Sequence, residues 1–154
     1  MTRTSLKDMN CSIAQFAEAL GDKWSLLIVR EAFNEVQTFS GFEKRLGIAK
    51  NVLAERLSHL VEHGILERKQ TRPGVERYKY ELTERGRAIF PIGAAIMQWG
   101  DKWVFGSKGE PRRIVDKRTG APVQEVGVIS RDGRFLSLED IEFTPGPGSS
   151  AYSA

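Results

Sequence analysis

Asn51, Glu55 and Ser58 are spaced by four and three residues, which puts all three on one face of a helix. Their chemistry suits the edges of DNA bases. An asparagine amide pairs with adenine, a carboxylate accepts from cytosine, and a hydroxyl serves in either sense. Val52 adds a methyl surface for thymine, and Arg56 and His59 lie on the flanks of the same helix. Lys50, at its start, stands beside free first-turn amides that would hold a phosphate. Arg68, Lys69, Arg72, Arg77 and Lys79 follow in a segment that reads as a hairpin, able to reach a minor groove or its phosphates. The chemistry expected from this set is recognition of a duplex.

The elements that must position these groups are legible around them. Residues 39–46 and 50–63 read as two helices joined at Gly47-Ile48-Ala49. In the second, Leu53, Leu57, Leu60 and Val61 form an apolar stripe opposite the polar face. Gly64 ends that helix. Strands follow at 65–70 and 76–82, where Tyr78, Tyr80 and Leu82 alternate with Arg77, Lys79 and Glu81. Pro73-Gly74 favours a type II turn between them. The order is a helix-turn-helix with a β-wing. Basic residues on the wing also guard its edge against strand pairing, whatever else they do.

The chain has 154 residues, 40% hydrophobic and 28% charged, with a net charge of +3. That suits a soluble protein of one domain, or of one domain plus an appendage. The basic excess is local: residues 44–87 hold eleven Lys or Arg against six Glu, whereas residues 105–154 balance at seven each. No apolar run is long enough to span a bilayer. The opening MTRTSLKDMN has no apolar signal core, so the expected compartment is the cytoplasm. One cysteine, Cys11, excludes an intrachain disulfide and a cysteine-rich metal site.

Ser12 is the expected N-cap of a first helix reaching Leu20, with Gln15 completing a capping box. Ile13, Phe16, Ala17 and Leu20 mark its buried face. Asp22 would cap a second helix, 23–33, with Trp24, Leu27, Ile28 and Ala32 on one face. Both read as scaffold without a polar cluster. A later helix follows Thr83, broken or restarted near Phe90 by Pro91. Its seam of Ile92, Ala95, Ile96, Trp99 and Trp103 either packs on the first helix or meets a second copy. A two-fold dimer would read two half-sites. The surface expected to form it comprises Ile13, Phe16, Leu20, Ile92, Ile96, Trp99 and Trp103.

Three segments, CSIAQFAEALGDKWSLLIVREAF, TFSGFEKRLGIAKNVLAERLSHLVEHGILERK and YELTERGRAIFPI, with the tryptophan at Trp99, resemble the HxlR group of winged-helix regulators, relatives of the MarR group. The resemblance covers about residues 11–104. It implies a homodimer, double-stranded operator DNA as partner, no cofactor and no catalysis, with the helix from Lys50 as reading helix. Some members of that family sense oxidants or electrophiles through a cysteine before the first helix, where Cys11 stands. A helix N-terminus favours a thiolate; equally, Cys11 is a small residue at the edge of a helix. No paired carboxylates, nucleophile with base, or phosphate-cradling glycine loop points to an enzyme. His59 and His63 lack the further ligands of a metalloprotease site.

The fold class expected is mainly α with a β-wing. Residues 1–104 form the winged helix-turn-helix and dimerisation domain, 105–144 a small β-rich appendage, and 145–154 a disordered tail. Strands are expected at 112–116, 121–129, 134–136 and 141–144, with turns at 117–120 and 131–133. The competing reading is a winged helix used for protein–protein contact.

Overall fold

The computed structural model of the chain describes residues 5–74 and 76–149, in two compact units that divide between Ile89 and Phe90. The first is a winged helix-turn-helix. Helices α1 (Ser12–Leu20), α2 (Lys23–Phe33), α3 (Phe39–Leu46) and α4 (Lys50–Glu62) precede the antiparallel pair β1 (Leu66–Gln70) and β2 (Tyr78–Leu82). The short helix α5 (Glu84–Arg87) follows.

Local signals set these boundaries. Asp22 caps α2, its Oδ1 accepting from the amides of Trp24 and Ser25 at 3.0 Å each. Thr38 caps α3 through the Gly41 amide at 3.1 Å. Leu66 faces Leu82 and Gln70 faces Tyr78 across the wing, and the Tyr80 amide donates to Gln37 O at 2.7 Å, fastening β2 to the chain ahead of α3. Gly74 at the wing tip has φ +78°, as its turn requires. At the wing's base, Thr83 Oγ1 donates to Gly64 O at 2.6 Å and accepts from the Gly86 amide at 3.0 Å. Gly86 lies so close to the Ile65 carbonyl that a Cβ there has no room.

The core of this unit is built from Ile28, Phe42, Leu53, Leu57 and Leu60, all without solvent exposure, with Leu20, Val29, Ile65 and Leu66 around them. Helix α4 packs on α1, α2, α3 and β1, so its stripe is enclosed on every side.

The N-terminal helices correct the sequence reading. Cys11, not Ser12, is the N-cap of α1, and its side chain makes no capping hydrogen bond. Gln15 is used elsewhere: its Nε2 donates to the carbonyls of Leu6, Lys7 and Met9 at 3.3, 3.0 and 2.8 Å. These bonds fold the preceding turn onto α1, and the Glu18 carboxylate accepts from the Leu6 amide at 2.9 Å. Ile13 is 79% exposed, while Ala14, Glu18, Ala19 and Leu20 are buried. On α2 the buried positions are Ser25, Ile28, Val29 and Glu31, and Leu27 stays outside the core cluster. Glu31 is buried because Arg30 and Arg45 pair with it at 2.6 and 2.9 Å.

The second unit begins with α6 (Phe90–Gly100), which restarts at Phe90 and carries Pro91 within its first turn, where a missing N–H costs little. It runs on as a π-helical turn, Asp101–Phe105, and a 3₁₀ turn, Gly106–Lys108. The appendage holds two hairpins, but their ladders are much shorter than expected. One is a single bridge between Val115 and Pro122. The other pairs β3 (Val128–Ile129) with β4 (Phe135–Leu136). Residues 141–144 are not a strand, since no strand among the described residues pairs with them. They follow a 3₁₀ turn, Leu138–Asp140, closed by a Ser137–Asp140 capping box. Of the expected tail, residues 150–154 lie outside the described residues, and residues 145–149 contain a turn closed by the Ser149 amide and Gly146 O at 2.9 Å.

Truncating the centre of the α4 stripe tests this architecture. Leu57→Ala removes a fully enclosed side chain and is expected to cost about 2–5 kcal/mol in urea unfolding. A loss under about 1 kcal/mol contradicts the packing described.

Candidate nucleic-acid interface

Gly47 takes φ +61° and ends α3, and buried Ile48 pins the turn that follows. Helix α4 then starts at Ala49, an N-cap with no side chain able to bond the first-turn amides. Those amides stay available to an outside acceptor. Asn51, Glu55, Ser58 and Glu62 are all exposed, on the side opposite Leu53, Leu57 and Leu60. Lys50 is open as well, its side chain 76% exposed and 3.9 Å from Glu43.

Three residues expected on the flanks of that face as DNA contacts, Val52, Arg56 and His59, are engaged inside the protein instead. Val52 is half-buried against the core. The Arg56 side chain is only 21% exposed; its Nε lies 3.6 Å from Asp22 Oδ1 and its Nη2 3.3 Å from Glu55 Oε1. His59 Nε2 lies 3.1 Å from both the Glu18 and Ala19 carbonyls, at the C-terminal end of α1. The correction has a simple cause. Positions flanking an apolar stripe point along the helix packing seams, so long side chains there find partners on α1 and α2 before they find solvent. The open face of α4 is left to Asn51, Glu55, Ser58 and Glu62, with Lys50 at its edge.

The wing sorts its charges by face. Glu67, Lys69, Lys79 and Glu81 share the outer face by register, and Lys69 Nζ sits 2.7 Å from Glu67 and 2.9 Å from Glu81. Hydrogen bonds to Glu67 and Glu81 raise the Lys69 ammonium above its ordinary range. Its charge is therefore largely answered within the wing. Arg68 lies over the Tyr78 ring at 3.6 Å, a stacking that leaves the edges of its guanidinium as donors. Arg72 and Arg77 stand exposed at the tip. With Thr71 and Tyr78 they line a groove whose opposite wall is Thr38, Phe39 and Ser40 at the start of α3. The sequence did not foretell this groove, because its walls lie more than thirty residues apart.

Two groups around α4 titrate below their ordinary range. Burial pushes the Asp22 carboxyl up, but hydrogen bonds from Ser25 and Trp24 and the Arg56 charge outweigh it and hold the group below its usual range. Burial and the neighbouring His59, with ring centroids 4.3 Å apart, push His63 down; Lys7 and Arg85 act in the same sense and Glu18 opposes them. Among the described residues, no three His, Cys, Asp or Glu side chains converge to hold a metal ion. No described helix is long and apolar enough to cross a membrane.

Known proteins place this arrangement. The model of the HxlR-like helix-turn-helix family matches residues 19–108, from the end of α1 through the wing and α6. The chain belongs to the HxlR-like helix-turn-helix family. An HTH-type transcriptional regulator of Mycobacterium tuberculosis is 34% identical over 143 residues, spanning 93% of this chain and 90% of that one. The crystal structure of PA1607, described as a transcription factor, superposes with a TM-score of 0.87 at 40% identity over 93% of this chain and all of that one. The reduced form of the transcriptional regulator YodB from Bacillus subtilis gives a TM-score of 0.53 at 29% identity, over 62% of this chain and 96% of that one. This HxlR-like chain is thus a DNA-binding transcriptional regulator, and its relatives are regulators, not enzymes. The appendage is shared along the length of PA1607, whereas YodB is matched over a shorter stretch.

The His63 environment carries a pH signature. A group held below its ordinary value of 6.5 contributes stability that is present above that value and lost as pH falls through the lowered one. The thermal midpoint should therefore decline on acidification below about pH 6.5, and His63→Gln should flatten that part of the profile. An unchanged slope in the variant removes His63 as its cause.

Proposed function

We propose that this chain is a homodimeric, sequence-specific regulator that acts in the cytoplasm by laying α4 in the major groove of operator DNA. The observation that carries this reading is the outward face of α4. Asn51, Glu55 and Ser58 are exposed while Leu53, Leu57 and Leu60 are fully enclosed, so the base-pairing side chains are held by a rigid wall. Asn51 suits adenine, Glu55 a cytosine amino group, and Ser58 either kind of edge. Lys50 and the uncapped amides of α4 meet a phosphate. Arg72 and Arg77 reach the adjoining backbone or minor groove from the wing tip, and Arg68 and Lys79 support them. Lys69, already paired to two glutamates, contributes less.

The dimer is proposed to form through the open side of α1 and through α6. Ile13 on α1, and Ile92, Ile96, Trp99 and Trp103 on the α6 segment, are between 43% and 79% exposed. Phe16 is half-buried and packs on its own core. Leu20 is 1% exposed, so it has no surface to give a second copy and drops out of the expected interface. Two reading helices related by a two-fold axis would meet half-sites about one helical turn apart.

Redox response is proposed to run through Cys11. It is the N-cap of α1 and only partly exposed, on a helix that touches α4. Modification there would press on the scaffold behind the reading helix. A Cys11→Ser variant should bind operator as tightly as wild type under reducing conditions and ignore diamide, while the wild type changes affinity. An identical diamide response in both proteins ends the proposal for Cys11.

Anisotropy titrations across a salt series test DNA reading. Asn51→Ala and Ser58→Ala should each cost about 1–3 kcal/mol on the best operator and relax sequence preference. Arg72→Ala should weaken all sequences alike and reduce the salt slope by about one, with a smaller change for Lys69→Ala. A wild type that binds operator and random duplex equally, with no loss of affinity in any of the four variants, contradicts the reading and favours a winged helix used for protein contact.

A further inference from the structure

The C-terminal unit has almost no interior of its own. Among the described residues from Phe90 onward, Ala94 is the only buried hydrophobic side chain. Backbone pairing does not compensate, since β3–β4 is a ladder of two residue pairs and the neighbouring hairpin a single bridge. Even a full two-stranded hairpin is marginal alone in water. Yet the unit leaves Trp99, Trp103, Phe135 and Phe143 between 60% and 86% exposed, with Val128 and Ile129 at 58% and 57%. A monomer rarely leaves so much apolar surface uncovered.

We propose that this unit is a dimer arm. The apolar surface of its appendage, from residue 110 onward, is covered by the same unit of a second copy of the chain, as part of one interface with α6. The inference rests on the dimeric reading above and extends it to a segment for which no role has been assigned.

Three observations favour a second copy as the occupant. The first is continuity. Gln98, next to Trp99, clamps the appendage to α6: its Nε2 donates to Gln124 O at 3.0 Å and its Oε1 accepts from the Val126 amide at 2.7 Å. Gln98 lies about 100° around the helix from Trp99, so an interface on the Trp99 face of α6 has the clamped appendage along its edge. The second is charge. Residues 105–154 carry seven basic and seven acidic side chains, and the pairs Arg113–Glu110 and Arg134–Asp132 are satisfied within the appendage. Such a surface has no net attraction for phosphate or anionic lipid, and two identical copies meet without like-charge repulsion. The third is area. Each exposed aromatic leaves on the order of 100 Å² open. Four of them, with the aliphatic side chains between them, approach the roughly 800 Å² per partner that a stable interface uses.

The test uses the full chain from nanomolar to micromolar concentration, combining sedimentation with hydrogen exchange over residues 124–136. In the wild type, exchange there should slow as dimer forms. The double variant Phe135→Ser, Phe143→Ser should raise the dimer dissociation constant at least tenfold and make that exchange independent of concentration. Exchange in α4 should stay unchanged, showing that the N-terminal unit remains folded. A wild-type dimer whose appendage exchanges at the same rate at every concentration overturns the inference, whatever the variant does. So does a double variant that dimerises as tightly as wild type while Trp99→Ser dissociates, though that result leaves the dimeric reading intact. A wild type that stays monomeric at micromolar concentration removes both.

Discussion

Leu53, Leu57 and Leu60 fix the rotation of α4, and the outward chemistry of the chain follows from that constraint. Each is fully enclosed, and burying a leucine side chain is worth about 1.5–3 kcal/mol. Together the three approach the net stability of a typical domain, about 5–15 kcal/mol. Turning α4 by a single residue is a rotation of about 100°. It would lift leucines into water and drive Asn51 or Glu55 into the core. The polar face therefore has one permitted direction, set by apolar packing on the far side.

The residues on the flanks act as struts. Val52 closes the seam with the core, Arg56 reaches back to the carboxylate that caps α2, and His59 contacts the last carbonyls of α1. Each ties α4 to a neighbouring part of the scaffold. The wing shows the same division of labour. Lys69 is tied to Glu67 and Glu81, whereas the tip arginines stay open and complete a groove with the start of α3. A count of basic residues overstates how much positive charge is available to DNA.

The first unit was largely legible in the sequence because its signals are local. Asp22, Thr38, Gly47, Gly64 and Thr83 sit where helices begin or end, and the leucine stripe announces its period. What the sequence hid were contacts between distant segments. Glu18, Ser25 and Glu31 are buried polar residues on helices that read as plain scaffold. For Glu31 the reason is Arg45, fourteen residues away. Gln15 has the spacing of a capping box, yet a turn folding back on α1 claims its amide. Ile13 obeys the helical period but points to solvent. Alternating residues and turn signals in the appendage predict longer strands, but among the described residues each hairpin pairs only with itself. The structure of PA1607 matches over 93% of this chain and the whole of its own length, so the likeness extends into the appendage.

Selection of binding sites from a random DNA pool by the wild-type protein tests the central claim most directly. If α4 presents Asn51, Glu55 and Ser58 to the groove in a two-fold assembly, the enriched sequences should converge on a pseudo-palindrome with half-sites about 10 base pairs apart. A pool that remains random after repeated rounds, with binding that depends on salt alone, would show that the outward face of α4 does not read bases.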